Sequence, residues 1–85
     1  MKLRTRLWRG SPSNCHGNVS LLWKEKGSKG FKIYTGYGLS EDGLWRQHSW
    51  GTMNGTIIET TVEREKYFGF ELSEEESKKF ARDAY

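Results

Sequence analysis

Residues 44–62 read LWRQHSWGTMNGTIIETTV, and the Asn54-Gly55 pair near their centre decides the fold. Asn-Gly is the strongest short-range hairpin signal, because a type I′ turn needs positive φ at both central residues. Leu44 to Trp50 before it and Thr56 to Val62 after it are rich in aromatic and β-branched residues, which predicts two paired strands. A two-residue turn also fixes the register. Met53 faces Thr56, so Glu59 falls nearest Trp50 and His48 nearest Thr61. Side chains alternate between the faces of a strand, so His48 and Glu59 share a face, one diagonal step apart.

Working upstream, Glu41-Asp42-Gly43 reads as a turn, and Phe31 to Tyr37 alternates like a further strand. Before it lies a helix. Val19, Leu22 and Trp23 recur at helical spacing from Cys15, Leu21 widens the stripe, and Gly27 is placed to end it. Ser13 or Asn14 is expected to cap its start, after a loop at Gly10-Ser11-Pro12-Ser13. The first stretch, Lys2 to Trp8, reads as extended and half-buried. Downstream, Tyr67 to Phe70 forms a short fourth strand of the meander. Ser73 with Glu76 is a capping-box pattern that opens a C-terminal helix with Phe80 and Ala84 on its apolar face. The expected fold is a single α+β domain over residues 1–85, with a Cys-bearing N-terminal helix packed on a small antiparallel sheet and a C-terminal helix.

Composition sets the class. With 85 residues there is room for one core, and four Trp, four Tyr and four Phe argue against disorder. The lone Cys15 cannot form an intrachain disulfide. With no signal-peptide pattern and no apolar run of membrane-spanning length, a cytoplasmic location is expected. The net charge of +3 is concentrated at Lys2, Arg4, Arg6 and Arg9. That balance reads chiefly as solvated surface and gives nucleic-acid binding little support.

The chemistry-bearing residues are Cys15, His48 and Glu59. A helix start favours thiolate, which is the nucleophilic form of cysteine. A neighbouring imidazole can hold the thiol proton, and a third polar group orients the ring through its other nitrogen. His16 adjoins Cys15 but diverges from it by about 100° on a helix of 3.6 residues per turn, so it is a poor base. His48, with Glu59 beside it on the hairpin, is the better one. Zinc is not expected: Cys15, His16 and His48 fall short of the usual four ligands and lack paired-ligand spacing.

The order of these pieces resembles the transglutaminase-like branch of the papain-like thiol enzymes. The matching segments are Asn14-Cys15-His16-Gly17, Gly36-Tyr37, His48-Ser49-Trp50 and Ile58-Glu59-Thr60-Thr61, so the resemblance covers residues 14–61. It implies a papain-like core with Cys15 as nucleophile, His48 as general base and acid, and Glu59, where that branch usually has Asp, as the orienting group. It further implies that Trp50 shields the site and that the Cys15 N–H donates to an oxyanion. Asn14, Tyr37, Trp45 and Trp50 are the expected substrate contacts, although Tyr37 and the two Trp residues also suit core or groove lining. Asn18 is expected to be an ordinary helix residue with a side chain able to reach an oxyanion.

The implied activity is acyl transfer from an amide or ester of a peptide or protein, by hydrolysis, deamidation or transamidation, and it needs no cofactor. A non-enzymatic protein-interaction module of the same fold, of viral or mobile-element type, stays open as the alternative.

Overall fold

The computed structural model describes residues 4–11 and 14–84. Strand β1 (Arg4–Leu7) precedes helix α1 (Cys15–Lys26) and a single 3₁₀ turn at Gly27–Lys29. Strands β2 (Lys32–Leu39), β3 (Trp45–Met53), β4 (Thr56–Glu59) and β5 (Lys66–Glu71) follow, and helix α2 (Glu74–Ala84) closes the described chain. The fold is α+β, with the five strands in one sheet in the order β1-β4-β3-β2-β5. Lys2, Leu3 and Ser13, which the sequence assigns to the first strand and to a helix cap, lie outside the described residues.

The hairpin forms as its turn chemistry requires. Asn54 and Gly55 take φ of 53° and 77°, and Met53 pairs with Thr56. The expected all-antiparallel meander is modified at both edges. β1 joins β4 in parallel, and β5 pairs with β2 instead of extending beyond β4. β4 also stops at Glu59 where a strand to Val62 was expected. The cause is local: the N–H groups of Thr60 and Thr61 both donate to Glu59 Oε2 at 3.1 Å, so they turn away from a ladder.

Cross-strand partners share a face. One face carries Ile33, Thr35 and Tyr37 beside Gly51, Ser49 and Gln47, and α1 packs against it. The core joins Val19, Phe31, Ile33 and Ile58, with Trp8, Leu22, Trp23, Met53, Leu72 and Phe80 around them. Leu21, expected to widen the helix stripe, is exposed. Gly27 ends α1 as expected, as its C-cap, but with right-handed helical angles, so the chain continues through a separate 3₁₀ turn to Gly30, whose φ of 95° breaks it. In α2 the capping box is present: Glu76 N–H donates to Ser73 Oγ at 3.2 Å and Ser73 N–H to Glu76 Oε1 at 2.9 Å. Among its described side chains Ser77 and Ala81 are buried, and that of Ala84, expected on the apolar face, lies outside the described ones.

Candidate active site

Three local features assemble the site. First, β4 pairs with β3 only from Gly51 to Met53. Beyond Ile58 the chain instead follows the segment after β1, with Trp8 N–H donating to the Glu59 carbonyl at 2.7 Å and Gly10 N–H to that of Thr60 at 2.9 Å. β3 therefore has no β4 neighbour at His48 and Ser49. Second, the start of α1 occupies that place, and the Ser49 N–H beside the Cys15 sulfur favours its thiolate. Third, the Asn18 side chain ties α1 to the preceding loop, accepting from Ser11 N–H at 3.0 Å and donating to the Ser11 carbonyl at 2.9 Å. Asn18 is a strap, so its amide is committed and not directed at an oxyanion.

Cys15, His48 and Glu59 come together. The His48 imidazole neighbours the Cys15 thiol and interacts with it electrostatically. Its Nε2 lies 2.8 Å from Glu59 Oε1, which leaves Nδ1 as the ring nitrogen for the sulfur. His48 and Glu59 are 1% and 0% exposed, whereas Cys15 is only partly buried. The pair is sealed and the thiol is reachable. The hairpin register puts Glu59 within direct reach of His48 despite the extra methylene over Asp.

Electrostatics favour the charged forms. Burial pushes the Cys15 thiol up, but the His48 hydrogen bond, the Ser49 N–H, the imidazole charge and the His16 N–H outweigh it and hold the thiol below its ordinary value. Burial depresses the His48 imidazole, yet its bonds to Cys15 and Glu59 raise it overall. Burial likewise opposes the Glu59 carboxylate, and His48, the Thr61 N–H and Tyr67 bring it below the usual carboxyl range.

Several contributors were not legible in the sequence. Tyr67 Oη donates to Glu59 Oε1 at 2.9 Å and accepts from Arg64 N–H at 3.1 Å. Thr61 Oγ1 adds a further bond to Glu59 Oε2 at 3.1 Å. Tyr67 stands out in the sequence only as one aromatic in an alternating strand, and its partner is eight residues away across a change of strand. His16 Nδ1 lies 2.6 Å from Ser49 Oγ, with the ring edge-on to Phe80; it faces the helix-covered side of β3, opposite to His48.

The expected substrate contacts separate. Asn14 is exposed at the N-cap of α1, beside Cys15, and its side chain makes no cap bond. Trp50 is 3% exposed and stacks at 6.0 Å on both His48 and Tyr34, with Tyr67 at 5.0 Å. That burial fits shielding of the His48–Glu59 pair and leaves little of the ring for a ligand. Tyr37 and Trp45 occupy the opposite face from His48 and, with Phe68, line an apolar groove of about 350 Å³. Among the described residues, no group of three or more His, Cys, Asp or Glu side chains is arranged to hold a metal ion, and no helix is long and apolar enough to cross a membrane. Comparison with protein-family models, with curated proteins and with solved structures finds no match for this chain.

Proposed function

We propose that this protein is a cysteine-dependent acyl-transfer enzyme acting on an amide or ester of a peptide or protein. The observation that carries the reading is a reachable thiol at a helix start, electrostatically paired with a histidine whose Nε2 is held at 2.8 Å by a buried carboxylate. The Cys15 thiolate attacks the substrate carbonyl, and the Cys15 N–H, free of intrahelical partners at the first turn, donates to the oxyanion. The His48 imidazolium gives its proton to the departing amine or alkoxide, leaving a thioester on Cys15. Water or an acceptor amine then attacks that thioester, His48 takes its proton, and the thiolate departs. Glu59 keeps the ring oriented and offsets its charge throughout. Asn14 borders the attacking sulfur, and the groove of Tyr37, Trp45 and Phe68 accepts an apolar part of the substrate. A working thiolate must stay reduced, which fits the cytosol.

The test is trapping of the acyl-enzyme. Incubation with an activated aryl ester should leave an acyl adduct on Cys15, resolved by peptide mass spectrometry. Cys15→Ser should carry none, and His48→Ala should slow adduct turnover by about 10²–10⁴-fold, the usual contribution of a positioned acid–base group. A folded protein that gains no adduct at Cys15 would contradict the proposal.

A further inference from the structure

Strand β5 lies at the edge of the sheet, and its outer side meets no other described element. Leu72 N–H donates to the Ile33 carbonyl on β2 at 2.8 Å. Since the groups along an antiparallel strand alternate, Phe70 and Phe68 also direct their backbone groups to β2, whereas Tyr67, Gly69 and Glu71 direct theirs outward. The row of unpaired donors and acceptors is therefore centred on Gly69. The side chains are equally centred. Phe68 and Phe70 flank Gly69 on the helix-bearing face, and they are 67% and 70% exposed. No proline blunts this edge, the register shifts only at its start, where Glu65 N–H rather than Lys66 N–H meets the Leu39 carbonyl, and the one lysine, Lys66, sits at its first residue; soluble proteins usually protect such an edge more fully.

We infer that β5 pairs antiparallel with β5 of a second copy of this chain, with Gly69 opposite the partner's Gly69, to give a continuous ten-stranded sheet. The two-fold axis then passes through the glycine pair. Phe68 of each protomer stands beside the partner's Phe70, and its other side already meets Tyr37, its cross-strand neighbour on β2. Symmetry about Gly69 selects a second copy over an unrelated strand, because both the hydrogen-bonding row and the aromatic pair repeat when the strand is turned end for end. Four phenyl rings, each about two-thirds exposed and each offering on the order of 150–250 Å² to bury, supply roughly 400–650 Å² in total. With the two strand backbones the interface approaches about 1,000 Å², the lower end of specific interfaces. A reversible dimer that forms with rising concentration is the consequence. The pairing does not use Cys15, His48 or Glu59, but it shares Phe68 with the apolar groove proposed for substrate, so it covers part of that groove.

Sedimentation velocity across a wide concentration range should show the mass double from monomer to dimer. Backbone amide exchange at Tyr67, Gly69 and Glu71 should slow over the same range, while the amides of Phe68 and Phe70 stay protected throughout. Phe68→Lys/Phe70→Lys should remain monomeric, as should Phe68→Glu/Phe70→Glu, since each clusters four like charges at the axis. Mixing the two variants should restore a heterodimer. A wild-type chain that stays monomeric at every concentration overturns the inference. So does a dimer whose Gly69 amide exchanges as fast as in the monomer, or one that survives both charge variants unmixed.

Discussion

Glu59 accepts five hydrogen bonds, from His48, Tyr67, the Thr60 and Thr61 N–H groups and the Thr61 hydroxyl. A buried carboxylate survives only when such donors replace its hydration. Glu59→Gln keeps the shape but carries an NH₂ where one oxygen accepted, so one set of donors loses its acceptor. The variant should be less stable by about 3–5 kcal/mol, the usual cost of breaking a buried pair, as read by urea unfolding. Tyr67→Phe removes a single donor and leaves the Arg64 N–H without its acceptor. It should cost about 1–3 kcal/mol, and the Cys15 thiol should titrate higher in Glu59→Gln than in Tyr67→Phe.

Among the elements, the hairpin was the most legible, because Asn54-Gly55 fixes turn type and register together and so brings His48 to Glu59. The Cys15 helix and the Ser73–Glu76 cap were legible for the same kind of reason: their signals are local. The parallel β1–β4 pairing, the placement of β5 against β2 and the role of Tyr67 were not, since each depends on contacts between distant segments. Gly27 was legible as the end of α1, but the added 3₁₀ turn to Gly30 was not, because only the backbone angles separate the two glycines. Packing offers a direct element-level test. A Cβ at Gly51 would lie 2.1 Å from Phe31 Cζ, against the ring that fills the space between α1 and the sheet. Gly51→Ala should therefore destabilise by about 1–3 kcal/mol through overpacking, seen as a lowered urea midpoint. Asn18→Ala should cost about 1 kcal/mol by removing the partner of the Ser11 N–H, while the Ser11 carbonyl keeps the Asn14 N–H, and amide exchange at Ser11 should accelerate.

For the whole molecule, the same charges that lower the Cys15 thiol's pKa set the pH range of stability. Glu59 titrates below its ordinary value of about 4.3, so its contribution is complete above that value and is lost as pH falls through the lowered one. His48 titrates above its ordinary value of about 6.5, so its contribution is complete below that value and is lost as pH rises through the raised one. Thermal melts against pH should thus show a maximum between these limits, and Glu59→Gln should flatten the acid limb. Fold and chemistry meet where α1 fills the space that β4 vacates beside β3. The most direct measurement is the rate of iodoacetamide labelling of Cys15 near pH 6, relative to the urea-denatured chain and to His48→Ala. An activated thiol labels faster in the folded protein than in the denatured chain, and loses that advantage in His48→Ala. A folded rate no greater than the denatured one would contradict the existence of the Cys15–His48–Glu59 relay.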